Sequence, residues 1–495
     1  MEVAGVGALF LLCVLLTLFF SSFKMYKKKG QLPPGPAPWP FLGNFLQKDV
    51  LPLYKSYNKL IDKYGPIFTV WMGPTPVVVL CGYEVVKDAF LDHAEEFGGH
   101  PAIPIRDKVG KGQGLTSRDE TKWRELRRFT LSTLREFGMG KKTMSKKVQE
   151  EALCLVEEMA ATQGKSFDPR RRISQAVSNV ICSVIYGSRF DYNDETFQEH
   201  LFIAQGLVNL YHSFLGLFYC CLPQIMDYVP GHHNKVFANC EKLCAFIRET
   251  VESHRQTLDL QNPRDYIDCF LMRMEKEQNS GEQIFSLEDL VACLFELFLA
   301  GSESTASTIV YSILVMAKLP HIQAKVQQEI DDVVGDNRVP GMEDRVKMPF
   351  TNAVVHEIQR YRKQNSESFP HAMSHHTAFR GFTIPKDTAV TPLLTSVHFD
   401  PLQWETPEKF NPGHFLDEKG QFRRRDAFIP FSIGKRACPG KALAQMELFL
   451  LFSILLQNFT FQLVGDAKNM DLMSLFSELK RRNQCAPVQA ISRKV

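Results

Sequence analysis

Two patterns of hydrophobic positions divide the chain into a short N-terminal region and a long body. The first is an uncharged, mostly apolar run at residues 3–23, followed by a cluster of lysines that begins at Lys24. A run of this length can cross a bilayer as a helix. Glu2 stands where a cleaved signal has basic residues, and no small-residue cleavage site follows. We therefore predict a retained transmembrane anchor at residues 1–23, with the lysines keeping the body in the cytosol.

A proline-rich segment joins this anchor to the body. Residues 24–40 hold the lysine cluster and then a stretch, residues 32–40, in which most positions are proline. Proline fixes φ and lacks an N–H donor, so this composition favours neither a helix nor a central strand. We predict an extended linker at residues 24–40 and the body at residues 41–495.

Hydrophobic residues in the body first follow a strand pattern and then a helical one. Residues 67–72 and 76–80 are rich in β-branched and aromatic residues and are separated by Gly73-Pro74-Thr75, which predicts a β-hairpin. Beyond the hairpin, apolar residues recur mainly at helical spacing. The pattern therefore predicts a mainly α body with a small β portion.

The longest apolar segment of the body is predicted to be one buried helix. Ser286 followed by Asp289 forms a capping signal, and apolar residues continue to Leu319. In its middle lies a stretch of small and polar residues, 300–305. Small residues there would let a ligand approach the backbone; alternatively they form a packing notch with a hydroxyl bonded to the carbonyl one turn earlier.

Composition excludes some function classes and leaves others open. Charged residues make up 23% of the chain and the formal net charge is +3, so we predict no nucleic-acid partner. The 12 cysteines are scattered without a disulfide framework or a zinc spacing, which predicts reduced thiols. A length of 495 residues alone suggests two or three domains.

One loop, residues 431–440, combines glycines with a cysteine. Cys438 precedes a predicted helix, so free N–H groups and the helix dipole would favour its thiolate. Gly434 allows a turn, Gly440 allows close approach to a flat cofactor, and Arg436 suits a carboxylate such as a haem propionate. A thiolate ligand on haem iron favours O–O cleavage. Cys438 is therefore the candidate iron ligand, although a lone cysteine in such a turn is more often a buried structural thiol.

The pattern Phe-x-x-Gly-x-Arg-x-Cys-x-Gly in this loop resembles the haem-binding signature of the cytochrome P450 superfamily at every specified position. Flanking residues 427–430 and 446–449 resemble family 2, the vertebrate microsomal branch, and the resemblance covers essentially the whole chain. It implies the cytochrome P450 fold in one large domain, with the haem between the long central helix and the cysteine loop. Residues 41–495 would then be a haem-thiolate catalytic domain that holds haem b, iron protoporphyrin IX, through Cys438.

The resemblance also assigns cofactor contacts elsewhere in the chain. Trp123 and Arg127 lie one helical turn apart, so both project from one face of a predicted helix. The implied cofactor-binding residues are Trp123, Arg127, Ala300, His371, Arg436 and His100. His100 stands where the family usually has an arginine, and a histidine offers one hydrogen bond rather than a fork.

Further roles follow from the same resemblance. The family's acid–alcohol pair aligns with Glu303 and Ser304, where it manages protons for dioxygen activation. Serine keeps the hydroxyl of the usual threonine but loses the methyl group that fixes its rotamer. Thr305 is the third catalytic candidate, about 100° further round the helix. Glu357 and Arg360 are assigned a structural role, bonding their helix to an arginine in the segment before the cysteine loop.

Analogy with the family alone assigns the surfaces that meet a substrate, a membrane or a partner. The substrate pocket would comprise Ile103, Leu115, Leu297, Phe298, Phe369, Met373, Leu475 and Phe476. An apolar loop at residues 215–223 would form a second contact with the lipid bilayer. Basic residues near Lys122 and Arg424 would form one face that docks an acidic redox partner.

The implied function is a haem-thiolate monooxygenase in the endoplasmic reticulum membrane, with a single-pass anchor and a cytosolic catalytic domain. It would insert one oxygen atom from O₂ into a fatty acid, a steroid or a xenobiotic. Electrons would come from NADPH through NADPH–cytochrome P450 reductase, with cytochrome b5 as a further partner. Two rivals stay open: a haem-thiolate isomerase or peroxygenase, and a non-enzymatic haem sensor. The retained Glu303 and Ser304 speak against the isomerase, and a lipophilic pocket with an anchor speaks against the sensor.

Overall fold

A computed structural model describes residues 32–493 apart from residues 41, 140, 281–283, 363–368, 473–474 and 476–484. The predicted anchor at residues 1–23 lies outside the described residues. The described chain is mainly helical with three small β-sheets, as predicted. Its helices are α1 (Leu53–Tyr64), α2 (Tyr83–Lys87), α3 (Pro104–Gly110), α4 (Glu120–Glu136), α5 (Lys142–Ala160), α6 (Arg170–Ile185), α7 (Glu195–Tyr211), α8 (Phe214–Cys221), α9 (Pro223–Met226), α10 (His232–Gln256), α11 (Tyr266–Ser280), α12 (Leu287–Lys318), α13 (Pro320–Val333), α14 (Pro349–Tyr361), α15 (Leu394–His398) and α16 (Lys441–Asn458). Its strands are β1 (Ile67–Met72), β2 (Thr75–Leu80), β3 (His371–Ala372), β4 (Thr377–Phe379), β5 (Phe382–Ile384), β6 (Ala389–Pro392), β7 (Phe459–Leu463) and β8 (Val488–Ser492).

The largest sheet carries the predicted hairpin. β1 and β2 pair antiparallel along their full length, and the sheet has the order β1-β2-β6-β3. The proline-rich linker is extended and packs on β1, because the Thr69 N–H donates to the Pro34 carbonyl at 2.9 Å and the Thr69 hydroxyl donates to the Pro33 carbonyl at 2.8 Å. A Cβ on Gly35 would stand 1.9 Å from the Thr69 carbonyl oxygen. The end of the linker is therefore attached to the body.

The predicted central helix is α12, and the structure confirms its limits. The Ser286 hydroxyl accepts from the Asp289 N–H and the Asp289 carboxylate accepts from the Ser286 N–H, both at 3.2 Å, which closes a capping box. Asp289 also forms an ion pair with Lys122 on α4 at 2.8 Å. α12 packs on α6 and α16 in the main hydrophobic core. It is long and apolar enough to cross a membrane, but 61% of its most apolar window is buried within the body.

Glu357 and Arg360 on α14 form a fully buried, bidentate ion pair with both N–O distances at 2.7 Å. Arg360 donates further to three carbonyl oxygens between residues 398 and 409. Glu357 accepts from the Asn411 N–H at 2.7 Å and lies 3.3 Å from His414 Nδ1. Among the described residues, no arginine of the segment before the cysteine loop reaches Glu357. The predicted arginine partner is thus wrong, and the His414 ring takes its place.

The segment predicted as an apolar loop at residues 215–223 is helical instead. Ser213 caps α8 by accepting the Gly216 N–H at 3.0 Å, and Pro223 occupies the first turn of α9. A Cβ on Gly216 would stand 1.8 Å from the Leu210 carbonyl oxygen. Glycine therefore lets α8 fold back tightly against the end of α7.

Exposed apolar side chains accompany this turn. We define the α8–α9 surface as Phe214, Ile225, Tyr228 and Val229, which are 59%, 57%, 89% and 40% exposed. The Phe214 ring also contacts Phe45, just after the linker, with ring centroids 5.9 Å apart. The end of the linker and the α8–α9 surface therefore lie on the same side of the protein.

Candidate active site

Cys438 lies in a closed loop that ends at the N-terminus of α16. The Cys438 N–H donates to the Phe431 carbonyl at 2.9 Å, which closes the loop. Gly434 has a φ of +82°, and a Cβ there would stand 2.2 Å from the Phe90 carbonyl oxygen, so this turn requires glycine. At Gly440 the Cβ position is 4.0 Å from Cys438 Sγ. The loop thus leaves the Cys438 side chain exposed within an interior cavity.

Burial has the largest influence on the Cys438 thiol and raises its pKa. The N–H of Gly440, the charges of Arg127 and Lys441, and the N–H of Lys441 lower the pKa but do not reverse the direction. The N-terminus of α16 therefore lowers the pKa of Cys438, as predicted, but the effect of burial is larger. A metal ion on the sulfur would supply the missing stabilisation of the thiolate.

Two arginines meet beside this loop, stacked on an indole ring. The guanidinium carbons of Arg436 and Arg127 lie 3.4 Å and 5.8 Å from the centroid of the Trp123 ring. Arg436 Nε donates to the Gly98 carbonyl at 2.8 Å, whereas its Nη1 is buried without a hydrogen-bond partner. Arg127 donates to the Ala437 carbonyl. Burial, and then the charge of Arg127, lower the pKa of Arg436 to about 9.

The two guanidinium groups form no ion pair with a carboxylate among the described residues. An unpartnered buried guanidinium nitrogen beside a second cation is unfavourable unless an anion binds there. Haem propionates would supply this anion in the bidentate geometry that arginine prefers. Trp123, Arg127 and Arg436 therefore fit the cofactor contacts assigned to them.

Two histidines adjoin this cluster with opposite tautomers. Arg106 on α3 donates to His100 Nδ1 at 3.3 Å, so neutral His100 carries its proton on Nε2 and can donate one hydrogen bond from there. Burial, with Arg436 and Arg106, lowers the pKa of His100 to about 2. His371 donates Nδ1–H to the Phe97 carbonyl at 3.1 Å, and burial lowers its pKa to about 4. A propionate contact through His371 Nε2 would require the imidazolium, which a nearby carboxylate favours.

α12 presents its small residues to the same cavity. Ala300 and Ser304 are exposed to it, and the Ser304 hydroxyl donates to the Ala300 carbonyl at 2.8 Å. The small side chains leave room for a ligand to approach the backbone, as one interpretation of the sequence predicted. The Ser304 hydroxyl is also bonded to the carbonyl one turn earlier, as the other interpretation predicted.

Glu303 contacts α7 beside this wall. Its two carboxylate oxygens lie 3.1 and 3.2 Å from the Gln205 amide, which donates to them in the amide orientation that satisfies both side chains. Burial raises the pKa of Glu303 to about 7, although Arg362 and Arg170 act in the opposite direction. The carboxyl is therefore present in both protonation states near neutral pH.

Thr305 faces a different neighbour from Ser304. It is 4% exposed, and its side chain lies close enough to Glu447 on α16 to lower the pKa of that carboxyl. Burial raises the pKa of Glu447 well above its ordinary value, and its Oε1 has no hydrogen-bond partner. Ser304 and Thr305 are separated by about 100° around α12, as predicted. Their side chains therefore have different neighbours, the Ala300 carbonyl and Glu447.

The cavity has a volume of about 2000 Å³ and joins the cysteine loop to α12. Four residues assigned to the substrate pocket line it: Ile103, Leu115, Leu297 and Phe369. Three described residues do not: Phe298, Met373 and Leu475 are buried in the hydrophobic clusters instead. Phe298 contacts His200 on α7, with ring centroids 6.3 Å apart. Phe476 lies outside the described residues.

Glu296 and Arg362 are among the charged residues of the cavity wall that were not singled out from the sequence. Glu296 on α12 accepts from the Leu115 N–H at 2.7 Å, and burial raises its pKa to about 7. Arg362, directly after α14, lines the cavity as well. A charge within a long apolar helix was an available signal for Glu296. Arg362 belongs to no motif, and only the folded chain brings it to the cavity.

Comparisons with known proteins agree with this geometry. The family described as Cytochrome P450 matches residues 33–484. Cytochrome P450 2C20 of Macaca fascicularis is 46% identical, covering 94% of this chain and 94% of its own length. Cytochrome P450 2C8 of Homo sapiens is 44% identical over 93% and 94%, and Cytochrome P450 2G1 of Oryctolagus cuniculus is 45% identical over 95% and 96%. With nearly its whole length matched, this chain belongs to the cytochrome P450 family, with relatives in vertebrate family 2.

Proposed function

We propose that this cytochrome P450 monooxygenase inserts one oxygen atom from O₂ into a lipophilic substrate, with electrons from NADPH delivered through a reductase. The observation that carries the proposal is the cavity of about 2000 Å³, which brings Cys438 and the α12 residues Glu303 and Ser304 to one space. Hydrophobic side chains such as Leu115 and Leu297 line its wall. A fatty acid, a steroid or a xenobiotic would fill such a space.

The side chains of this protein hold the cofactor and transfer protons. The haem b supplies dioxygen activation when bound. Cys438 Sγ is the proposed iron ligand, and Trp123, Arg127, His100, His371 and Arg436 are the proposed propionate contacts. Ala300 leaves room beside the cofactor. Glu303, with a pKa raised to about 7 by burial, can both release and accept a proton near neutral pH. The Ser304 hydroxyl is the proposed proton donor, and Thr305 is its alternative.

We propose that the protein resides in the endoplasmic reticulum membrane through residues 1–23, with its catalytic domain in the cytosol. The exposed α8–α9 surface supports a second contact with the bilayer. Exposed basic side chains, such as Arg128 on α4 at 73%, support docking of NADPH–cytochrome P450 reductase or cytochrome b5 through acidic surfaces.

The full-length protein in vesicles with purified reductase tests this function. Dodecanoic acid, a neutral steroid and an aromatic ether serve as probes under ¹⁸O₂. Reductase-dependent NADPH oxidation and a product with one ¹⁸O atom are expected for at least one probe. Product formed from a peroxide without reductase would favour the isomerase or peroxygenase. Haem reduction without product from any probe would favour the sensor.

A further inference from the structure

Part of the cavity wall is polar and lies outside the cofactor cluster. We define this polar compartment as Gln205, Glu303, Ser307, Thr308 and Arg362, all of which line the cavity. Gln205 reaches Glu303 from α7, and Arg362 reaches Ser307 and Thr308 from the end of α14. The side chains of three elements therefore converge in one place.

Arg362 is the cation of this compartment, and its hydrogen-bond partners are neutral. Its Nη1 donates to the Thr308 hydroxyl at 2.7 Å and its Nη2 to the Ser307 hydroxyl at 3.1 Å, while its Nε is buried without a partner. Burial lowers its pKa to about 10, so the guanidinium is still charged at neutral pH. The charge of Glu303 also favours the charged form of Arg362, although no hydrogen bond joins the two side chains among the described residues. A buried cation whose hydrogen-bond partners are all neutral is stabilised further when an anion binds to it.

The other described arginines and lysines that line the cavity either belong to the cofactor cluster or form ion pairs with carboxylates. Arg127 and Arg436 belong to the cofactor cluster. The remaining ones form ion pairs: Arg106 with Asp107 at 3.7 Å, Lys111 with Glu241 at 3.5 Å, Arg170 with Asp168 at 2.7 Å, Arg248 with Glu288 at 3.0 Å and Arg360 with Glu357 at 2.7 Å. Arg362 forms no ion pair with a described carboxylate, which makes it the candidate among the lining cations to bind an anionic ligand.

We propose that Arg362 anchors the anionic group of an amphiphilic substrate, a lipophilic carboxylate whose apolar chain occupies the rest of the cavity. The inference rests on the proposed function, since it names the substrate class of the same cavity. Ser307 and Thr308 hold the guanidinium in position and each accept from one of its two Nη nitrogens. Each Nη keeps a second N–H, which can donate a charge-assisted hydrogen bond to a carboxylate. Glu303 does not compete for Arg362 when it is protonated, and an anion bound nearby favours that protonated form.

Equilibrium dialysis of the holoprotein with dodecanoate and with dodecan-1-ol tests the anchor. The two ligands share their chain and differ in charge. Wild type is expected to prefer dodecanoate, and Arg362→Gln is expected to lose about 10- to 100-fold in dodecanoate affinity with little change for dodecan-1-ol. Arg362→Lys, which keeps the charge, should retain part of the preference. Arg171→Gln removes one exposed positive charge on α6, at a residue that does not line the cavity, and should bind both ligands as wild type does.

Equal affinity of wild type for the two ligands overturns the proposal, and this arm needs no substitution, so it holds even if Arg362→Gln does not fold. An unchanged preference for dodecanoate in a folded Arg362→Gln also overturns it. The dialysis requires neither reductase nor NADPH. A carboxylate preference without oxidation would therefore contradict the proposed function alone, and oxidation of neutral probes without a charge preference would contradict the anchor alone.

Discussion

Cys438 is the side chain whose replacement should change the chemistry most. We expect Cys438→His to retain haem but to lose the red-shifted carbon monoxide band of thiolate-ligated ferrous haem, together with oxygenation, because imidazole donates less electron density. Difference spectra of the reduced protein measure this. Cys221→Ser is the control, since Cys221 also lines the cavity. A Cys438→His variant that keeps the band would refute the ligand assignment.

Ser304 differs from the usual threonine and is held by a backbone bond. Its hydroxyl donates to the Ala300 carbonyl at 2.8 Å, and serine rotates more freely than threonine about χ1. We expect wild type to release more hydrogen peroxide per NADPH than Ser304→Thr. Ser304→Ala should release most, with product formation reduced by about 100-fold if the hydroxyl is a positioned proton donor.

Peroxide and product, measured against NADPH in the same three proteins, decide this point. Thr305→Val is the matched comparison, because Thr305 lies about 100° further round α12 than Ser304 and acts on Glu447 instead. Equal coupling in wild type and both Ser304 variants would show that Ser304 only packs against the backbone.

The sequence identified residues that lie within motifs and missed residues that only the fold brings together. Trp123, Arg127 and Arg436 were assigned by the family resemblance, which applies to them because they lie within a short helix segment and a short loop motif. Arg362 could not be assigned in this way, since it reaches the cavity through a contact with Thr308 on a distant segment. The assignment of Met373 to the pocket rested on analogy alone, and in the structure this side chain is buried in a hydrophobic cluster instead.

The α14 ion pair allows a prediction about the stability of a whole element. Glu357 and Arg360 are fully buried, so Glu357→Gln leaves an uncompensated cation and should lower the free energy of unfolding by about 3–5 kcal/mol. Urea unfolding measures this loss. Glu252→Gln breaks the exposed pair with Arg255 at the same i, i+3 spacing on α10, and should change stability by less than about 1 kcal/mol. Similar losses in the two variants would contradict a structural role for Glu357.

Elements with strong local signals were predicted well. α12 begins at its capping box and β1–β2 have a clear turn, so both follow from nearby residues. The α8 segment was predicted as an apolar loop between helical stretches. In the structure Gly216 permits contact with the Leu210 carbonyl, and Pro223 stands at a helix start, where proline is tolerated. These roles depend on tertiary packing and cannot be read from the residues alone.

Acid should destabilise the whole protein through buried neutral histidines such as His398. Its Nε2 accepts from the Ile429 N–H at 3.1 Å, and burial, with Arg360 nearby, lowers its pKa from 6.5 to about 3. Below pH 6.5 the unfolded chain binds this proton and the folded protein does not. The free energy of unfolding should therefore fall by about 1.4 kcal/mol per pH unit through His398, as the pH decreases from the pKa of the unfolded state toward that of the folded state.

Urea unfolding between pH 7 and pH 5 measures this slope. His398→Gln keeps an acceptor for the Ile429 N–H and should have a shallower slope than wild type. Exposed His321→Gln serves as control and should match wild type. An unaltered slope in His398→Gln would contradict the argument.

The protein should remain partly attached to membranes after its N-terminus is removed. Deletion of residues 1–25 leaves the α8–α9 surface, so flotation with lipid vesicles should still recover some protein. Adding Phe214→Ser and Ile225→Ser should reduce the partition coefficient by about tenfold or more for each side chain. Complete release of the truncated protein at low salt, without detergent, would contradict the second contact.

The bond between the linker and β1 has a consequence for how substrates are encountered. Because Thr69 holds Pro33 and Pro34, and Phe45 touches Phe214, only a short stretch of chain separates the α8–α9 surface from the predicted anchor. A short tether gives a weakly binding surface a millimolar effective concentration at its target. Phe45, Phe214 and Leu217 also line the cavity. With the anchor in a bilayer, that side of the cavity would therefore sample the concentration of a lipophilic compound in the lipid phase rather than its much lower concentration in water.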